Sequence, residues 1–189
     1  MILLVDNYDS FTWNLWHQLA AAAGEVVVRR NDEVTVEEAL GMVPRAVVFS
    51  PGPGRPADAG ICPALLAALP HDLPFLGVCL GHQALVEHCG GTLERDPEPM
   101  HGKASEVLHE GGGLFRGLPR PFVAGRYHSL RARADALPEA LRLDAWTADG
   151  QVMAVAHRER PWFGIQFHPE SVLTPDGALL VAAFLGWSP

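Results

Sequence analysis

Cysteine is scarce and irregularly spaced in this chain, which holds three: Cys62, Cys79 and Cys89. Three thiols so placed build neither a disulfide framework nor a zinc knuckle, and an odd count suits a reducing compartment. Basic residues are also few, 14 Lys and Arg against 22 Asp and Glu, for a formal charge of -8. That balance argues against nucleic acid or an anionic membrane surface as the main partner. No apolar run approaches bilayer-spanning length. The opening "MILLVDNYDS" has no basic segment and an apolar run of four residues before Asp6, so it does not read as a secretion signal. Linkers, repeats and low-complexity tracts are missing too. The expected location is the cytoplasm.

What remains is a composition that folds: 48% hydrophobic and 19% charged over 189 residues, enough for one domain spanning 1–189. "ILLV" (2–5) reads as a strand. Asp9 or Ser10 then caps a helix with Phe11, Leu15, Leu19 and Ala22 on one face, stopped by Gly24. "EVVVR" (25–29) and "RAVVFS" (45–50) are further strands, and Thr35 with Glu38 has capping-box spacing for a short helix between them. "GICPALLAAL" (60–69) predicts a third helix, Pro74–Val78 a buried strand, and His82–Cys89 a fourth helix. Such alternation implies a mostly parallel twisted sheet with helices on both faces. Beyond Gly91, "GTLER", "SEVLH", "RLDAWT", "VMAVAH" and "WFGIQF" read as flanking antiparallel strands. A last helix runs from Asp176 to about Trp187.

In such a sheet, ligands bind beyond the carboxyl ends of the strands. Cys79 stands at one of those ends, with Gly77 and Gly81 two residues to either side. That is the spacing of a nucleophile elbow, a tight strand-to-helix turn that exposes a side chain, here with Cys in place of Ser. The start of the next helix would favour thiolate over thiol. Taken alone, Cys79 fits a small buried hydrophobe as well. Cys62 and Cys89 lie in apolar helical patterns and read as core. "SPGPGRP" (50–56), after the preceding strand, is a rigid loop able to bring backbone N–H groups to a ligand. A nucleophile also needs a base and the base an orienting group. His168 and Glu170, two apart in "GIQFHPES", fall on one face of an extended segment that Pro169 keeps from turning helical. The other histidines lack such a pairing and read as surface or packing residues. Together these features make a Cys-His-Glu acyl-transfer site.

With these residues in place, the sequence resembles the class I (triad-type) glutamine amidotransferases, in particular the small subunits of anthranilate synthase and aminodeoxychorismate synthase. "DNYDSFTWN" (6–14), "SPGPGRP", "GVCLGHQ" (77–83), "MHGKAS" (100–105), "RYHSL" (126–130) and "QFHPES" (166–171) run in family order across nearly the whole chain. The resemblance implies that Cys79 attacks the side-chain amide of L-glutamine, with His168 moving the proton and Glu170 orienting it. It implies an oxyanion hole from the N–H of Leu80 and one from Gly52–Gly54, and glutamine held by Gly52, Pro53, Gly54, Gln83, Ser129 and Leu130. No metal or cofactor is expected in this subunit; Mg2+ is expected in the partner. Because no synthetase segment follows the amidotransferase core, the expected ammonia acceptor is a separate chorismate-binding synthase subunit. "SPGPG" and "VMAVAH" are more similar to the anthranilate branch. "MHGKAS" and "DNYDSFTWN" resemble partner-facing or activation elements of the family, and by residue type could equally be polar loops.

Overall fold

The computed structural model describes residues 1–186. Its first part runs Ile2–Asp6 (β1), Thr12–Ala23 (α1), Val26–Arg30 (β2), Val36–Gly41 (α2), Ala46–Phe49 (β3), Cys62–Ala68 (α3), Phe75–Val78 (β4) and Leu80–His88 (α4). The second part is strand-rich: Leu93–Arg95 (β5), Lys103–His109 (β6), Phe122–Arg126 (β7), Leu130–Ala132 (β8), Leu141–Trp146 (β9), Val152–His157 (β10), Trp162–Ile165 (β11) and finally Gly177–Leu185 (α5). Nine strands form one sheet in the order β2-β1-β3-β4-β11-β10-β9-β6-β7, and β5 pairs with β8 apart from it. No described helix is long and apolar enough to cross a membrane.

Strands β3, β4 and β11 are buried along their whole length, as expected where helices cover both faces of a parallel sheet. Alternation along β1 divides the core: Ile2 and Leu4 pack with Leu15 and Leu19 of α1 and Leu180 and Phe184 of α5. Leu3 and Val5 face the other way, onto Ala39 of α2, Leu65 and Leu66 of α3 and Leu85 of α4. Thr35 closes the anticipated capping box, accepting from the Glu38 N–H while the Glu38 carboxylate accepts from the Thr35 N–H.

Several expectations need correcting. "WFGIQF" is antiparallel on one side only: β11 lies antiparallel to β10 but parallel to β4, with Ile165 opposite Val78, and so belongs to the parallel core rather than its flank. It is thus the seam between the two halves of the sheet. Neither Asp9 nor Ser10 caps α1; Asp9 instead folds an Asx turn, its carboxylate accepting from the Phe11 N–H at 2.8 Å. The buried stripe of α1 is Thr12, Leu15 and Leu19, and Ala22 is exposed. Helix α4 begins at Leu80, two residues earlier than its apolar pattern suggests, because Cys79 itself turns the chain. The last helix ends at Leu185, and Trp187 lies outside the described residues.

Candidate active site

Strand β4 runs directly into Cys79, whose φ of 52° and ψ of -96° are rare for a residue with a side chain. Such backbone strain costs on the order of 1–3 kcal/mol and persists only where neighbours enforce it. Here the Cys79 N–H donates to Ile165 O at 2.8 Å, tying the bend to β11, and its carbonyl accepts from the Gln83 N–H at 3.0 Å. The two flanking glycines admit the bend. A Cβ on Gly77 would lie 2.3 Å from the Gly81 backbone, and one on Gly81 would lie 2.8 Å from the Phe49 Cβ. From the sequence an exposed thiol is expected; Cys79 is 6% exposed. It lines a cavity of about 200 Å³. Small beside the roughly 300–1,000 Å³ clefts of drug-sized ligands, this cavity is in proportion to a single amino acid.

The parallel pairing of β4 with β11 brings the second element to the same edge. Beyond Ile165 the chain continues to His168, whose Nδ1 lies 2.7 Å from Glu170 Oε1. Both side chains are buried rather than solvated. His168 is fixed from several sides: its N–H donates to Gly125 O, its carbonyl accepts from Thr174 Oγ1, and the rings of Phe11 and Tyr127 pack against its imidazole. Its Nε2 is buried without a closed hydrogen bond. Burial works against a charged imidazole, but the Cys79 sulfur nearby and the Glu170 carboxylate bonded to Nδ1 together push His168 up to about 10. The direction of that shift favours the protonated ring beside the sulfur.

Gly52, Pro53, Gly54, Gln83, Ser129 and Leu130 line the same cavity as Cys79. Pro53, Gly54 and Ser129 are exposed at its rim, so the cavity communicates with solvent. Leu80 is the first residue of α4, where an N–H has no partner within the helix. Gly52 must be glycine for a reason of space: a Cβ there would stand 2.5 Å from the Asn7 Cβ and 2.9 Å from Leu80 Cδ2. The Gly52 loop is thus pressed against the start of α4.

Other residues of the site escaped the sequence reading. Asn7 anchors the loop: its N–H donates to Ser50 Oγ (2.8 Å) and its Nδ2 to Ser50 O (2.9 Å), while Oδ1 accepts from Asn31 Nδ2 and Cys62 Sγ. His101, Tyr127 and His128 also line the cavity. Burial and the Arg126 charge hold His128 down to about 4, so its ring is neutral. Since Nε2 accepts from Arg126 Nε at 3.1 Å, the proton sits on Nδ1 and is donated to Leu130 O at 3.0 Å. His128 is therefore a brace for the Leu130 carbonyl, and His168 is the histidine that carries charge. Gln166 is fully buried, its Nε2 3.6 Å from Cys79 Sγ. All of these fall inside the quoted motifs, but the spacing within a motif carries no trace of contacts made across the fold. Among the described residues, no group of three or more His, Cys, Asp or Glu could hold a metal ion.

A thiol on a strained elbow, a histidine backed by a carboxylate and a glycine loop thus meet at one small cavity, an arrangement chemically able to carry out acyl transfer. The sequence profile of the "Glutamine amidotransferase class-I" family matches residues 3–186, and the chain belongs to that family. It is 50% identical to anthranilate synthase component 2 of Azospirillum brasilense, over 98% of this chain and 95% of that protein. It is also 45% identical to aminodeoxychorismate synthase component 2 of Escherichia coli K12, over 98% and 99% of the two. Among solved structures, a Thermoplasma acidophilum protein provisionally assigned as part of a GMP synthase superimposes with a TM-score of 0.86 at 27% identity. That match covers 98% of this chain and 92% of the other.

Proposed function

We propose that this chain, as a single amidotransferase unit over 1–189, hydrolyses L-glutamine and delivers the ammonia to a chorismate-using synthase subunit. The observation that carries this reading is the meeting of Cys79 and His168 at the adjacent ends of β4 and β11, over a cavity of amino-acid size. In the proposed reaction the Cys79 sulfur attacks the side-chain amide carbon of glutamine. The Leu80 N–H and an N–H from Gly52–Gly54 hold the oxygen as it becomes negative; losing one such donor costs about 2.7–4 kcal/mol of barrier. The C–N bond breaks as His168 Nε2 gives its proton to the departing nitrogen, leaving a γ-glutamyl thioester and ammonia. Neutral His168 then takes a proton from water, whose oxygen attacks the thioester; glutamate leaves and the ion pair is restored. Glu170 keeps the Nδ1 proton in place and stabilises the charged ring. Gln83, Ser129 and Leu130 hold the glutamine. No metal or cofactor has a step here.

The Azospirillum relative supports the anthranilate branch, and hence tryptophan biosynthesis. A second reading, the aminodeoxychorismate (folate) branch or service to both, is supported by the E. coli relative. Tyr8, Trp13 and Val172 present exposed apolar side chains near the segments that frame His168, which suits a site covered by a partner. A glutamine-analogue affinity label should modify Cys79 in the assembled complex; an unmodified Cys79 would overturn the amidotransfer reading. Pull-down with each purified synthase subunit separates the branches, and capture by only the folate-branch partner would overturn the first choice.

A further inference from the structure

We infer that Gln166 is a positioning residue of this site, its carboxamide holding the Cys79 sulfur on one side and fixing the orientation of Gln83 on the other. This rests on Cys79 being the nucleophile. Gln166 is the first residue after β11 and is completely buried, with its N–H donated to Met153 O at 2.8 Å. Its Nε2 lies 3.6 Å from Cys79 Sγ, and its Oε1 accepts from Gln83 Nε2 at 3.3 Å. Gln83 Nε2 also donates to Leu130 O at 3.1 Å, the carbonyl that neutral His128 braces.

This chain of donors has one consistent direction. Both Gln83 amide protons are spent on acceptors, on Leu130 O and Gln166 Oε1. Its Oε1 is then the group left to meet a substrate ammonium or amide in the cavity it lines. Reversing Gln166 would set two NH2 groups against each other and turn an oxygen onto the sulfur. With the direction fixed, the NH2 of Gln166 is the side-chain amide donor that the sulfur meets. A donor aimed at sulfur favours its charged form, since a thiolate accepts a hydrogen bond far better than a thiol. A full-length buried amide is needed to reach both partners, and a shorter or apolar side chain loses both contacts together.

The remaining titratable groups around the sulfur are His168, with Glu170 behind it, and His101, Tyr127 and His128 across the cavity. His82 lies on α4 just beyond the elbow and is held neutral, near 3, by burial and the proximity of His128. The variants below leave all of these in place. The test compares Gln166→Met and Gln166→Glu with wild type in the assembled complex. Iodoacetamide labelling of Cys79 is followed against pH, alongside kcat and KM for glutamine. Gln166→Met should raise the midpoint of the labelling profile by about one pH unit and lower kcat/KM roughly tenfold. Gln166→Glu, which keeps the acceptor for Gln83 but sets a carboxylate against the sulfur, should raise the midpoint further and disturb KM less. Should Gln166→Met fail to fold, the near-isosteric Gln166→Glu decides alone. An unshifted profile in every variant that folds would overturn the role of Gln166 while leaving Cys79 the nucleophile. Failure of wild-type Cys79 to label would overturn the underlying site instead.

Discussion

Cys62 opens α3 and Cys79 immediately precedes α4, so both thiols meet the N-terminal end of a helix. Their surroundings then diverge. Cys62 is sealed in the core; burial outweighs its hydrogen bond to Asn7 and pushes the thiol up to about 12. It stays protonated and donates to Asn7 Oδ1 at 3.1 Å, helping to hold the residue on which the Gly52 loop rests. Cys79 has a cavity before it, an imidazolium beside it and a backbone strained to aim it. A helix start therefore does not make a nucleophile. What sets the proposed nucleophile apart is access and a charged partner, while the same element at the other thiol becomes a scaffold for the loop next door.

Replacing each thiol in turn gives the largest contrast. Cys79→Ala should abolish glutamine-dependent synthesis by the complex while ammonia-dependent synthesis persists; equal loss of both would erase the distinction between the two cysteines. Removing the charged partner comes next. His168→Ala should lower glutaminase activity roughly 10²–10⁴-fold, and Glu170→Gln should cost less, because the ring keeps its place in the packing of Phe11 and Tyr127. The pH dependence has a defined sign. The folded His168 value, about 10, lies above the free imidazole value of 6.5. Its contribution to stability and to proton delivery is therefore full below the free value and is lost as pH rises through about 10. Retention of the wild-type alkaline limb in Glu170→Gln would argue against the carboxylate's share in that shift.

Changes to the scaffold should be milder. Gly52→Ala forces a Cβ into Asn7 and should displace the loop, lowering kcat roughly 10²-fold and costing about 1–3 kcal/mol in denaturant unfolding; unchanged kcat would remove the loop from the oxyanion site. Cys62→Ala should cost about 1–3 kcal/mol in denaturant unfolding, from the cavity and from the lost donor to Asn7. Cys62→Ser should recover part of that loss by restoring a donor. Cys89, half-buried at the end of α4, is pushed up to about 11 chiefly by burial. Cys89→Ser should shift stability by no more than about 0.5 kcal/mol and leave activity alone, as thiol titration and a glutaminase assay would verify.

How far the sequence could be read follows the same division. The elbow was legible because Gly77 and Gly81 answer a local steric demand, and His168 with Glu170 because two residues of extended chain suffice to bring them together. Strands β1, β3 and β4 were legible as apolar runs buried on both faces, and the edge strand β2 by its β-branched Val26–Val28. Strand β11 was misassigned because an apolar run carries no direction, and its parallel partner lies 87 residues earlier in the register of Val78 with Ile165. Strands β7 and β8 went unread: β7 is broken by Gly125 and β8 has only three residues. Asn7, His128 and Gln166 act through neighbours from distant segments, so their residue types alone could not reveal them. Ala22 misled for a simpler reason: in the last turn of α1 it is Ala23 that packs against the core, and an alanine tolerates water.

The pairing of β4 with β11 also carries a consequence for biosynthesis. A ribosome extends the chain past Cys79 long before it reaches His168, the histidine proposed to supply the proton. Throughout that interval the emerging polypeptide owns a sulfur without an acid, and glutamine in the surrounding fluid is safe from it. On the proposed reaction, ammonia release is thereby deferred, by chain order alone, until the strand beside the elbow has been translated and threaded into the sheet.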